Sequence, residues 1–114
     1  MAATPPVSLL MRTLSDPTRR AIYERIAAAP ETTVGALTRA GRVSQPAVSQ
    51  HVKALQDARL VLGRRDGRNV FYRADPRGLA PLAQWVQHYE QIWAQSFDRL
   101  DDYLQTMQRN ETNP

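Results

Sequence analysis

Within VSQPAVSQHVKALQDARLVL, residues 43–62, the side chains of Gln45, Ser49 and Gln50 gather within little more than one helical turn. Their amide and hydroxyl groups both donate and accept hydrogen bonds, which suits the edges of base pairs. A glutamine bonds adenine in bidentate fashion, a serine bonds several bases or a phosphate, and Ala47 fits a thymine methyl. The next residues, GRRDGRNVFYR, place Arg64, Arg65, Arg68 and Asn69 around a turn, where guanidinium groups suit phosphates. Lys53 is a further phosphate-binding candidate, and Pro46 serves chiefly to start its helix. His51 lies beyond the polar face and close to the apolar one, so packing competes there with phosphate contact. The plainer reading of the set is a solvated polar face. A basic hairpin directly after the polar helix favours contact with a duplex.

The elements that must position these groups are legible in the punctuation of the chain. Val7, Leu10, Met11 and Leu14 share one face of a first helix, Val7–Leu14. Asp16-Pro17 supplies a cap and a first-turn proline for a second helix to about Ala29, with Ile22 and Ile26 inward and Pro30 as its stop. Arg19 is expected to pair with a carboxylate and Arg20 to be solvated. Thr32 or Thr33 caps a third helix, Val34–Ala40, which Gly41 ends, and Ser44 caps the fourth, whose Val48, Val52 and Leu55 face inward. Two short helices joined by a glycine-containing turn of this length predict a helix-turn-helix. Leu60–Arg65 and Arg68–Ala74 are the expected strands of a hairpin turning at Asp66-Gly67.

Asp75-Pro76 opens the last element. Its apolar residues fall at 79, 82, 86, 89, 93, 97, 100, 104 and 107, a three–four alternation sustained over about four heptads. Such a helix is ~40 Å long, too long to bury its apolar face on one small domain. It needs a partner, most simply a second copy of the chain. Trp85, Tyr89, Trp93 and Phe97 are read as core or dimer interface before an effector pocket. The expected fold is mainly α with a small β-hairpin: one domain over 7–108, with a helix-turn-helix at about 33–60, a hairpin at about 60–74 and the last helix at about 76–108. Residues 1–6 and 109–114 are expected to be flexible ends.

The 114 residues carry a formal charge of +4, divided unevenly: residues 1–76 hold +6 and residues 77–114 hold −2. A basic body with an acidic tail suggests that the body meets a polyanion. The chain contains no cysteine, which removes disulfides, thiolate metal sites and thiol redox sensing. His51 and His88 are the only histidines, and neither has an identifiable catalytic partner. There is no glycine-rich phosphate loop and no paired-carboxylate setting, so no enzymatic activity and no cofactor are expected. The start, MAATPPVSLLMRTL, lacks a charged n-region and a long apolar run, and no stretch approaches the ~20 apolar residues of a membrane span. No membrane association and a cytoplasmic location are expected.

Three segments taken in order, LSDPTRRAIYERI, VSQPAVSQHVKALQDARLV and GRRDGRNVFYRAD, resemble the ArsR-type (arsenic-repressor-like) family of bacterial winged-helix repressors over about Leu9–Ala74. The resemblance implies a winged helix-turn-helix and a homodimer joined through its first and last helices. Leu10, Leu14, Val86, Tyr89, Trp93, Phe97, Leu100 and Leu104 would then form the interface. It also implies binding to an imperfect promoter palindrome and repression of transcription. Two departures matter. The third-helix region reads TTVGALTRAG, without the cysteine pair of many metal sensors. The last helix has one histidine, with Glu90 off its face, where zinc sensors spread Asp, His and Glu. A non-metal branch is therefore expected, leaving an unidentified small-molecule or protein effector as the signal. A protein-interaction module and a sequence-neutral architectural DNA-binding protein are the competing functions.

Overall fold

The computed structural model describes residues 5–112, in which five helices and one hairpin follow in order. Of the ends expected to be flexible, 1–6 and 109–114, residues 1–4 and 113–114 lie outside the described residues. Helix α1 (Val7–Ser15) starts directly after Pro6, and α2 (Pro17–Ala28) after Asp16, whose Oδ1 accepts the Arg19 backbone N–H at 3.0 Å. That bond satisfies one of the orphan donors at the α2 start and holds the Asp16 carboxyl below its ordinary range. Ala29 is extended ahead of Pro30, as the residue before a proline tends to be, and the helix ends there.

Helix α3 (Val34–Ala40) is capped by Thr33, and α4 (Gln45–Asp57) by Ser44, each hydroxyl accepting a backbone N–H three residues on. Thr32 makes no helix cap. Its backbone exchanges two hydrogen bonds with Tyr72, at 2.9 and 2.7 Å, and so ties the α2–α3 loop to the hairpin. The end of α4 is a Schellman turn. Arg59 adopts φ +61°, its N–H reaches Gln56, and the Leu60 N–H reaches Leu55 at 2.9 Å. Leu55 and Leu60, the hydrophobic pair that accompanies this motif, are both completely buried.

Strands β1 (Val61–Asp66) and β2 (Asn69–Ala74) pair antiparallel, with Asp66 opposite Asn69. This corrects the expected turn by one residue, since the central positions are Gly67-Arg68 and not Asp66-Gly67. Of these two residues Gly67 carries positive φ, at +63°, and Arg68 does not, which fits a turn with glycine at its first central position. Helix α5 runs from Ala80 to Thr112. It starts four residues later than expected because the Asp75 carboxylate accepts the Arg77 backbone N–H and holds residues 75–79 in turns. It also continues beyond 108 through residues expected to be a loose tail.

Leu10, Ile22, Ile26, Leu37, Val48, Val52, Leu55, Ala58, Leu60 and Val61 form one buried core, with Leu9, Leu14, Tyr23, Tyr72 and Leu82 packed on it. The residues up to Leu82 make one compact unit and those from Ala83 a second, where a single domain over 7–108 was expected. From Ala83 to Asn110 every described side chain is exposed, so the second unit contains helix without a core.

Candidate nucleic-acid interface

Helix α4 presents two chemically distinct sides because its apolar residues recur with the helical period. Val48, Val52 and Leu55 are buried, whereas Gln45, Pro46, Ser49, Gln50 and Lys53 are exposed and Ala47 is half-buried. The hydrogen-bonding groups singled out in the sequence therefore share the outer surface of a helix anchored from behind. Packing of α3 against α4 across residues 41–44 completes the helix-turn-helix.

His51 is the exception in this set. It is half-buried, and its Nδ1 accepts a hydrogen bond from Arg19 Nε at 3.3 Å. The Arg19 guanidinium thus turns to an imidazole, not to the expected carboxylate; only its backbone N–H goes to Asp16. Arg20, read as solvated, donates from Nη1 to the Leu14 carbonyl at 2.8 Å and caps the end of α1. Both contacts reach across the α1–α2 and α2–α4 junctions, which the local sequence does not display.

In the hairpin, the four candidate residues separate into one that is engaged and three that are not. Arg64 donates from Nε and Nη2 to the two carboxylate oxygens of Glu31, at 3.1 and 3.0 Å. Its Nη1 lies 3.8 Å from Asp66, and its guanidinium stands 5.0 Å from the Phe71 ring centroid. The bidentate bond holds the Glu31 carboxyl below its ordinary range and raises Arg64 further. Arg64 thus forms a strut between the wing and the α2–α3 loop, a role that its reading as a phosphate contact did not include. Arg65, Arg68 and Asn69 are exposed, and neither arginine forms an ion pair among the described residues. Glu31 was missed by sequence reasoning, and Thr32 was read only as a candidate helix cap. Nothing in the sequence near Glu31 marks it as the partner of a strand residue more than thirty positions away.

The residues expected at a dimer interface also divide. Leu10 is fully buried in the core and cannot meet a second copy: α1 turns Leu10 and Thr13 inward and leaves Met11 exposed. Leu14 is half-buried against the same core. Val86, Tyr89, Trp93, Phe97, Leu100 and Leu104 are all exposed, Trp93 at 60% and Phe97 at 62%. Trp85, Tyr89, Trp93 and Phe97 line an open apolar groove of about 630 Å3 on α5. The Trp85 and Tyr89 rings are 4.9 Å apart and tilted by 53°. Among the described residues no three of His, Cys, Asp and Glu gather in a way that could hold a metal ion, and no helix is long and apolar enough to cross a membrane.

Residues 14–64 match a family model described as a helix-turn-helix domain. The chain is 55% identical over 69 residues to the HTH-type transcriptional regulator Rv2034 of Mycobacterium tuberculosis, covering 60% of this chain and 64% of that regulator. It therefore spans less than two thirds of that relative's length. The arsenic resistance transcriptional regulator ArsR2 of Pseudomonas putida is 36% identical over 93 residues, covering 82% of this chain and 76% of that protein. A homodimeric winged helix-turn-helix DNA-binding domain, Mb0332 from Mycobacterium bovis, has a TM-score of 0.59 at 27% identity, over 75% of this chain and 78% of that one. With α3 and α4 as the helix-turn-helix, β1–β2 as the wing and these relatives matching across them, the chain belongs to the ArsR family of winged helix-turn-helix transcriptional regulators.

Proposed function

We propose that the chain is a homodimeric, sequence-specific repressor that binds a promoter palindrome in the cytoplasm. The observation that carries this reading is the exposed Gln45, Ser49 and Gln50 on α4, together with Arg65 and Arg68 on the wing, which form no ion pair among the described residues. The first three, with Ala47, read base edges in the major groove, as the start of a recognition helix does in related motifs. Lys53, Arg65, Arg68 and Asn69 contact the sugar–phosphate backbone and set orientation. Pro46 starts the helix beside the backbone. His51 and Arg64 support the surface from within through Arg19 and Glu31. The exposed apolar face of α5 pairs with the same face of a second copy, and family membership supports that choice.

Selection of duplexes from a random library, followed by binding at physiological salt, tests the reading. Enrichment of an inverted repeat bound by a dimer is expected. Equal affinity for every duplex with steep salt dependence favours a sequence-neutral DNA-binding protein. No affinity for any duplex favours a protein-interaction module. With no cysteine and no metal-ligating cluster among the described residues, control falls to a non-metal effector at the α5 interface or to protein level through autorepression. Zinc or arsenite added to the protein–DNA complex, with a chelator control, is expected to leave it intact. Stoichiometric release abolished by His88→Ala would reverse this view.

A further inference from the structure

A cleft of about 490 Å3 opens between α3, the start of α4 and the wing, lined by Thr33, Gly35, Arg39, Gln45, Arg68 and Asn69 among others. Its lining residues carry two guanidinium groups, two amides and two hydroxyls, those of Thr33 and Tyr72, and no carboxylate. Arg39 has no hydrogen bond or ion pair among the described residues, unlike Arg64 on the same side of the fold. A methyl group built on Gly35 would lie 3.4 Å from Arg39 Nη1 and 3.8 Å from Thr33 Oγ1. The Arg39 side chain thus folds back one turn along α3, over a position that carries no side chain.

We propose that this cleft seats a backbone phosphate of one DNA strand, with Arg39 and Arg68 gripping it from opposite walls. The assignment rests on the DNA-binding reading above and extends it to a residue outside the recognition helix and the wing. The occupant is a phosphodiester in a polymer because the walls belong to different elements. Gln45 starts the base-reading helix and Arg68 tips the wing, so a strand contacted by both passes between them. Two unpaired cations with neutral hydrogen-bonding neighbours complement one delocalised negative charge. The contact positions the protein without specifying sequence.

The test compares wild type, Arg39→Ala, Arg39→Lys and Gly35→Glu on a random-sequence duplex and on a duplex enriched by selection. Arg39→Ala is expected to weaken both duplexes by the same factor. It also lowers the slope of log affinity against log salt, by up to about one per protomer because Arg68 still contacts the same phosphate. Arg39→Lys recovers most of the loss. Gly35→Glu, which sets a carboxylate beside Arg39, repeats the alanine effect through a different position. A single neutral methylphosphonate at the seated phosphate weakens wild type more than it weakens Arg39→Ala, in which Arg68 alone still holds that phosphate. Pyrophosphate displaces the duplex no more than an equal ionic strength of chloride. Displacement beyond that would assign the cleft to a small phosphate ligand and overturn the proposal. Wild type that binds duplex while Arg39→Ala keeps its affinity and slope overturns the cleft assignment alone. Wild type that binds no duplex overturns the DNA-binding reading along with it.

Discussion

Arg64 on β1 and Glu31 in the α2–α3 loop meet in a two-bond fork, at 3.1 and 3.0 Å, although 33 residues separate them in the chain. Beside it, Thr32 exchanges both backbone bonds with Tyr72 of β2. The wing is thereby held at two adjacent points, one ionic and one backbone, against the loop that leads into the helix-turn-helix. A two-stranded ribbon alone is marginal in water. These contacts give the hairpin a defined direction relative to α4.

The fork predicts an acid-sensitive component of stability. The Glu31 carboxyl is lowered by its bonds to Arg64, so its contribution is complete above the ordinary glutamate value of 4.5 and is lost as pH falls through the lower folded value. Glu31→Gln is expected to reduce the melting temperature slightly at pH 7, because the pair is partly exposed, and to leave it unchanged well below pH 4.5. Thermal melts of both proteins across this range decide the matter. An equal offset at every pH would sink it.

Gly78 predicts a larger effect. It is buried, and a β-carbon there would stand 2.8 Å from the Arg59 carbonyl oxygen and 3.0 Å from Leu60 Cα. Both are backbone atoms of the Schellman turn and cannot swing aside. Gly78→Ala should cost about 1–3 kcal/mol through forced backbone displacement. Urea denaturation measures it, and a wild-type midpoint would contradict the packing described.

The recognition helix and the wing should fail differently. Gln45→Ala is expected to relax preference at one base position in each half-site, at about 1–3 kcal/mol if the lost contact is bidentate. Arg68→Ala should weaken every duplex alike and flatten the salt dependence by about one phosphate per protomer. Binding titrations on a set of single-base variants at several salt concentrations separate the two. Identical profiles would mean that the roles are assigned wrongly.

Dimerisation is testable without disturbing the protomer. Trp93 and Leu100 are 60% and 52% exposed, so an aspartate at either position meets water in the isolated chain. In a symmetric α5 interface the same aspartate becomes a buried, unpaired charge, which is strongly unfavourable. Trp93→Asp is expected to sediment as a folded monomer at micromolar concentration, where wild type sediments as a dimer. A monomeric wild type refutes the interface.

The starts of α2, α3 and α4 were legible in the sequence because each is governed within one turn, whereas the start of α5 was not. Asp16 with Pro17, Thr33 and Ser44 all bond backbone groups three residues on, and Pro30 limits only its neighbour. The polar face of α4 and the apolar stripe of α5 were equally visible, since helical period alone sorts their side chains. The residues that hold the site in place were not. His51 turns to Arg19 across 32 positions and Arg64 to Glu31 across 33, and no local rule selects one partner among the many charged and polar residues available. Leu10 shows the same boundary. Periodicity put it on the apolar side of α1, but only the packing of α1 on α2 decided that this side was core and not interface. Local hydrogen bonding determines where elements begin and which of their faces are apolar. What each face meets is settled when distant segments compete to bury surface and pair charge, and that competition is resolved only in the folded chain.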